Sequence, residues 1–143
     1  MSDLMMVVNL IFAFILSGTI GWLREMEGKS AGLRTHILVG TGATLFMILS
    51  GEMITISQAA DPGRIAASVA MGVGFIGAGC ILQGENKIKG ITTASSIWIT
   101  AAIGVAIGTG LYVAAIATTI ITAITLHWLG KVEHRITKTK GFE

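Results

Sequence analysis

Charged residues are scarce in this chain. Asp, Glu, Lys and Arg make up 13% of its 143 residues, whereas hydrophobic residues make up 52%. A soluble domain carries about 25% charge, and so few charges cannot cover the surface of a soluble globule of this size. The composition therefore predicts an integral membrane protein.

Cysteine and proline are each present once, as Cys80 and Pro62. A single cysteine excludes an internal disulfide, and a single proline means that few helix kinks are forced. No basic segment precedes the first apolar run, and no Ala-x-Ala site follows it. We therefore predict no cleavable signal peptide, so that the first run stays as a membrane helix.

Long apolar runs separated by short polar segments fill most of the sequence. We predict one domain, 1–143, with membrane helices at about 4–23, 36–56, 63–83, 91–108 and 111–129 and a polar tail at 130–143. The last two helices come from one apolar stretch of 39 residues, or about 58 Å as a single helix. One span needs only about 30 Å, so we predict a break at Gly108-Thr109-Gly110.

The basic residues decide the predicted orientation. With five spans and the N-terminus outside, nine of the ten basic residues lie on the inner side, and only Arg64 lies outside. Inner loops of membrane proteins are enriched in Lys and Arg. The expected fold is therefore all-α, with five transmembrane helices, the N-terminus outside and the tail in the cytoplasm.

Two local patterns predict how the third helix begins and how it packs. Asp61-Pro62, followed by Arg64, predicts an N-cap with proline in the first turn of the third helix. Dense glycines then follow, and we predict that they face another helix, within the chain or in a homodimer: Gly72, Gly74, Gly77 and Gly79. Three of them match G-x-G-x-x-G, but the strand and the later acid of a dinucleotide site are missing.

Residues suited to catalysis or metal binding do not form a recognisable set. No catalytic triad, no metal-spaced Cys/His cluster and no acid deep in a span is present, so we expect no enzyme activity, no metal site and no cofactor. The histidines lie at or beyond predicted helix ends, and we expect them to be interfacial or solvated: His36, His127 and His134.

Hydroxyl side chains form two stripes at helical spacing. They are Thr92, Ser96 and Thr100 on the fourth helix, and Thr118, Thr122 and Thr125 on the fifth. Such hydroxyls bond their own i−4 carbonyls or cross-link helices, or they line a path for a hydrated ion. We also expect Thr92 or Thr93 to cap the fourth helix.

The loop at 24–36 is the best candidate for a functional site. Arg24 and Glu25 end the first helix, Gly28 and Gly32 permit a tight turn, and Arg34, Thr35 and His36 open the second helix. We hypothesise that Glu25 pairs with Arg34 and that the loop lies beside a second inner turn, formed by Lys89, Gly90, Thr92 and Thr93. The alternative is a solvated loop that only sets the topology.

Five sequence blocks carry a family resemblance. They are R-E-x-x-G-K-x-A-G-L-R-T-H at 24–36, L-V-G-x-G-A-x-L-F at 38–46, D-P-G-R-I-A-A at 61–67, G-x-G-F-I-G-A-G at 72–79 and I-K-G-I-T-T-A-S-S-I-W-I-T-A-A-I-G at 88–104. In this order they resemble the MgtC/SapB family of bacterial inner-membrane proteins.

The resemblance implies a multi-pass domain of the bacterial inner membrane, linked to magnesium limitation and to intracellular survival of pathogens. For some members it implies inhibition of the proton-driven ATP synthase. Many members continue into a soluble C-terminal domain, whereas this chain stops soon after its last helix, so we do not expect functions of that domain here. Expected partners are the lipid bilayer, a second copy of the chain in a homodimer or other homo-oligomer, and another membrane protein, but no nucleic acid.

Two function classes remain open at this point. One is a regulatory membrane protein that binds another membrane complex. The other is a small transporter or channel for magnesium or another ion.

Overall fold

The computed structural model describes residues 1–56, 61–83 and 88–129. Within this part of the chain the elements are α1 (Asp3–Met26), α2 (Leu33–Ile56), α3 (Pro62–Ala78), β1 (Leu82–Gln83), β2 (Ile88–Lys89), α4 (Ile91–Gly108) and α5 (Tyr112–Ile124), which continues as a π-helical segment (Thr125–Leu129). The two short strands pair antiparallel. The all-helical class predicted from the sequence is confirmed.

The predicted break in the last apolar stretch is where the sequence indicated. α4 ends at Gly108, and α5 begins at Tyr112. Between them Gly110 has φ +81°, a conformation that disfavours residues with a side chain. The Leu111 N–H donates to Ala106 O at 2.8 Å, which satisfies a carbonyl at the end of α4.

The third helix is shorter than predicted. Asp61 accepts a hydrogen bond from Gly63 N at 2.8 Å and Pro62 occupies the first turn, as expected. Arg64 donates its backbone N–H to Asp61 O, and its carbonyl accepts from Ser68 Oγ. The expectation that the helix reaches residue 83 is wrong, because α3 ends at Ala78 and the chain then turns into β1. Strand pairing with β2, a contact between separate segments, overrides the local apolar pattern there.

Gly90 joins the hairpin to α4 and is the N-cap residue of that helix, with φ +94°. A Cβ at this position would overlap the carbonyl oxygen of Cys80, so only glycine fits. The expectation that Thr92 or Thr93 caps the helix is therefore wrong. Both lie inside α4, and its N-cap residue, Gly90, has no side chain to accept a hydrogen bond.

Close backbone approach holds α1, α2 and α4 together. A Cβ on Gly21 of α1 would lie 2.8 Å from Leu33 Cα, and one on Gly108 of α4 would lie 2.6 Å from Met47 Cβ. At Gly104 the added atom would meet the Gly40 carbonyl and lie 2.9 Å from Ala43 Cβ. Small residues thus bring these helices into contact, as in membrane helix pairs generally.

The exposed surface of the bundle is apolar, and much of its interior is polar. Phe75 and Val113 are 85% and 83% exposed. Buried polar side chains include Asn9, Ser17, Arg24, His36, Thr44, Thr93, Ser96, Thr100, Thr119 and Thr122. This arrangement suits a bundle whose outer faces contact lipid, where polar groups are directed inward.

Four helices of the described chain are long and apolar enough to cross a membrane: Asp3–Met26, Leu33–Ile54, Ile91–Gly108 and Tyr112–Leu129. α3 has 17 residues and is about 26 Å long, slightly less than the roughly 30 Å of a bilayer core. The chain is therefore multi-pass. A fifth span and the orientation of the bundle remain predictions.

Candidate functional site

The loop that follows α1 meets the N-terminal turn of α4 inside one end of the bundle. Arg24, in the last turn of α1, is 2% exposed. Its Nη2 donates to Thr93 Oγ1 on α4 at 2.6 Å, and its Nη1 lies 3.6 Å from Glu27 Oε2. The two inner turns that the sequence suggested as neighbours are thus in direct contact.

The hypothesised ion pair between Glu25 and Arg34 does not form. Glu25 Oε2 instead accepts a hydrogen bond from the backbone N–H of Leu33 at 2.9 Å. Among the described side chains at this end, Arg24 and His127 instead lie close to Glu27, while Arg34 is exposed. An anionic oxygen on a free N–H at a helix N-terminus is favourable because of the helix dipole.

This cap explains why α2 begins at Leu33, three residues before the predicted start at His36. Gly32 is required beside it, because the Glu25 carboxylate occupies the space that a Cβ on Gly32 would take. Gly28 makes the turn itself, with φ +63° and open space around it. Both glycines of the loop therefore have a conformational or packing role.

His36 is fully buried, so the expectation of an interfacial or solvated ring is wrong for this residue. Its Nδ1 lies 2.8 Å from Gly32 O, and its Nε2 lies 3.1 Å from Ser96 Oγ on α4. A carbonyl only accepts, so Nδ1 carries a proton. The ring is enclosed because α1 and α2 approach closely at Gly21, where an added Cβ would lie 3.0 Å from His36 Cβ.

The buried side chains of this region form a cluster of Arg24, His36, Thr93 and Ser96. The other candidate residues are less buried. Thr35 is half-buried, whereas Lys89 on β2 and Thr92 on α4 are exposed. His127, on the π-helical segment of α5, is half-buried, with Nδ1 3.7 Å from Glu27 Oε1. His134 lies outside the described residues.

The hydroxyl stripe on α4 faces inward, with one change from the prediction. Thr93, Ser96 and Thr100 are buried, whereas Thr92 is exposed. Ser96 donates to Thr93 O at 2.7 Å, and Thr100 donates to Ser96 O at 2.8 Å. The hydroxyls of Ser96 and Thr100 therefore donate to carbonyls of their own helix, which is one of the two interpretations left open.

On α5 the buried hydroxyls are Thr119 and Thr122, whereas Thr118 is half-buried and Thr125 is exposed. Thr119 donates to Ala115 O at 2.8 Å. The predicted stripe on α5 is therefore only partly directed inward.

A polar seam continues from the cluster through the bundle, and the sequence analysis missed most of it. Thr44 donates to Gly104 O at 2.9 Å and so joins α2 to α4. Ser17 is buried where α1 touches Gly40, and its Oγ has no hydrogen-bond partner within the described chain. At the far end Tyr112 donates to Asn9 Oδ1 at 2.7 Å.

The glycines of α3 are only partly used within the chain. A Cβ on Gly77 would lie 3.4 Å from Ala94 Cβ on α4, as predicted for a packing glycine, and one on Gly79 would meet only its own helix. Gly72 and Gly74 have open space, so of the two predicted partners a helix within the described chain is not found at these positions. A groove of about 680 Å³ separates α2 from α3 beside Gly72. Whether Gly72 and Gly74 face a second copy remains a prediction.

In the described part of the chain, no group of three or more His, Cys, Asp or Glu residues is placed so that it could hold a metal ion. Arg24, the buried cation, is the charged group at the centre of the cluster.

Comparison with known proteins gives the family. The chain is 47% identical over 136 residues to the putative magnesium transporter YhiD of Escherichia coli, which covers 92% of this chain and 61% of that protein. It is 43% identical over 115 residues to protein MgtC of Salmonella typhimurium (80% and 48% covered) and 42% identical over 113 residues to protein MgtC of Brucella abortus (78% and 46%).

The chain thus spans about half to three-fifths of the length of these curated relatives. No solved structure matches it significantly. The model of the MgtC family matches residues 10–135, which include every helix of the bundle at least in part. The chain therefore belongs to the MgtC family of multi-pass membrane proteins.

Proposed function

We propose that the chain is a regulatory domain of the bacterial inner membrane, linked to magnesium limitation, and that it acts by binding another membrane complex rather than by catalysis or transport. The proton-driven ATP synthase is the first partner to test, because the resemblance to the MgtC/SapB family implies it for some members. The observation that carries the proposal is the composition and packing of the polar seam.

The seam is a poor path for a magnesium ion. Mg²⁺ dehydrates reluctantly and keeps several waters, and it is bound through carboxylates. Acidic residues of the described helices lie at helix ends, at Asp3, Glu25 and Glu52. Near Gly104 the backbone of α4 touches that of α2, and at one end the seam meets the Arg24 cation. A hydrated cation would meet both a steric and an electrostatic barrier.

The alternative is a small transporter or channel for magnesium or another ion. The name of the YhiD relative favours it, and the buried hydroxyls supply oxygen atoms along the bundle. In that case the path would lie between copies of the chain, and the exposed Gly72 and Gly74 would allow close approach of a second copy.

A reconstitution experiment separates the two proposals. The full chain is placed in liposomes with a magnesium-sensitive dye inside, and Mg²⁺ uptake is compared with that of protein-free liposomes. The same preparation is then co-reconstituted with bacterial ATP synthase, and ATP-driven proton pumping is measured. We expect no added Mg²⁺ uptake and slower pumping.

Site variants make the result specific. Arg24→Gln should abolish the effect on pumping, whereas Arg64→Gln, which removes the same charge from the exposed start of α3, should retain it. Magnesium uptake that depends on the chain, with pumping unchanged, would overturn the regulatory proposal and support the transporter.

A further inference from the structure

The positive charge of Arg24 is only partly compensated by the described residues around it. Its Nε is buried and has no hydrogen-bond partner in the part of the chain that the structure describes. Nη2 is bonded to a neutral hydroxyl, and the Glu27 carboxylate, 3.6 Å from Nη1, is 28% exposed and also faces His127. A guanidinium carries five N–H donors, and a buried cation without close anionic partners is costly.

The same guanidinium points into the N-terminal turn of α4. Thr93, its partner, is the third residue of that helix, and the N-cap Gly90 has no side chain to accept from the free N–H groups. α4 has no acidic residue in its first turn, and Lys89 directly precedes Gly90. The positive end of the helix dipole therefore lies beside a buried cation, and both favour an anion.

We propose that this junction of α1 and α4 binds a phosphate group. A phosphate oxygen pair matches the planar donors of arginine, and a helix N-terminus supplies further N–H donors. Glu27 is the carboxylate that faces Arg24 in the described part of the chain, and it can be displaced because its contact with Arg24 is long and its side chain is partly exposed. The inference rests on this geometry and does not depend on either proposed function.

Two sources present the same chemistry at this position. Trp22, two residues before Arg24, is 57% exposed, as expected for an indole at the membrane interface. The head group of a phospholipid lies at that depth. A soluble phosphate would come from the aqueous side, where Lys89, just before α4, is exposed.

Binding is measured on the full chain, purified and delipidated in a sugar-based detergent that contains no phosphate. In one arm the melting temperature is followed while inorganic phosphate replaces chloride at constant ionic strength. In the other arm phosphatidylglycerol is added, with a neutral galactolipid of equal chain length as the control, and bound lipid is counted by native mass spectrometry. A ligand that binds only the folded state raises the melting temperature.

The variants are expected to change the affinity for phosphate in opposite directions. Arg24→Gln should weaken binding at least tenfold, Glu27→Gln should tighten it severalfold, and Arg64→Gln should leave it unchanged. Arg24→Lys keeps the charge but loses the planar donor pair, so it should fall between wild type and Arg24→Gln. It also provides a folded variant if Arg24→Gln is unstable.

Binding of inorganic phosphate with these variant effects supports a soluble ligand, and binding of phosphatidylglycerol alone supports a head group. If neither probe binds, or if Arg24→Lys and Glu27→Gln bind like the wild type, the proposal is wrong.

Discussion

At the scale of single residues, the candidate loop at 24–36 is stabilised by partners that differ from the expected ones. Glu25 binds a backbone N–H, and Arg24 binds a hydroxyl 69 positions away. The charge pattern alone predicts that oppositely charged side chains pair, as we expected of Glu25 and Arg34. A backbone N–H is equally available at every residue, so the sequence does not reveal that Leu33 is the partner.

Glu25→Ala should lower the free energy of unfolding by about 0.5–1 kcal/mol, the usual effect of losing a helix cap. Arg34→Ala, at an exposed position, should change it by less than about 0.5 kcal/mol. Thermal unfolding of the purified variants in detergent measures both. An equal loss in the two variants would instead favour an ion pair.

Gly32→Ala tests the same contact from the other side. The new methyl group needs the space of the Glu25 carboxylate, which lies at the flexible end of a side chain. The carboxylate should move away and the cap should be lost, at a cost of about 1 kcal/mol. In a Glu25→Ala background the same substitution should cost less than about 0.5 kcal/mol. Additive effects in this double-mutant cycle would contradict the contact.

At the scale of elements, the helices divide into a tight group and a looser one. α1, α2 and α4 touch through backbone at Gly21 and Gly104, whereas α3 has a contact glycine at Gly77 and open space at Gly74. Helices that are in backbone contact tolerate added volume poorly.

Gly104→Ala and Gly74→Ala form a matched pair. The first should lower the free energy of unfolding by about 1–3 kcal/mol, because the methyl group meets the Gly40 carbonyl and Ala43. The second should be neutral or stabilising by up to about 1 kcal/mol, since alanine favours helices. Thermal unfolding in detergent measures both changes. A larger loss of stability for Gly74→Ala than for Gly104→Ala would contradict this packing.

Gly74→Leu tests whether α3 faces a second copy. Its side chain enters open space within one chain, so the monomer should keep its thermal stability. If a homodimer forms through α3, the substitution should reduce its apparent mass in size-exclusion chromatography with light scattering. If the wild type is a dimer and Gly74→Leu has the same mass, the dimer contact lies elsewhere.

Sequence reasoning worked best where structure is local. The apolar runs, the Asp61-Pro62 cap and the break at Gly108-Thr109-Gly110 follow from chain composition within a few residues. The end of α3 and the burial of His36 depend on strand pairing and on the approach of α1 to α2, which are contacts between distant segments. The loop was therefore found from sequence, but its internal geometry was not.

At the scale of the whole molecule, contacts of charged side chains join three segments at one end of the bundle. The contacts of Arg24 with Thr93 and of Glu27 with His127 bring the end of α1, the start of α4 and the end of α5 together. This agrees with a common side for those segments, and the positive-inside rule predicts that the side is cytoplasmic.

Cysteine labelling tests that orientation. In a Cys80→Ser background, Ser2→Cys should react with an impermeant maleimide added to intact cells, and Lys29→Cys, in the exposed loop after α1, should react only after lysis. Both positions are exposed in the structure. The reverse labelling would invert the predicted topology.

The distance along the chain between Arg24 and Thr93 also sets an order of assembly. The ribosome adds about 5–20 residues per second, so the 69 positions between them take roughly 3–14 s to synthesise at that rate. During this interval α2 is synthesised, while the hydroxyl that receives the guanidinium does not yet exist. Until then, the arginine side chain can extend so that its guanidinium stays in water at the membrane surface. The contact of Arg24 with Thr93 can therefore form only after the start of α4 has been made, so α1 and α2 cannot complete the buried end of the bundle by themselves.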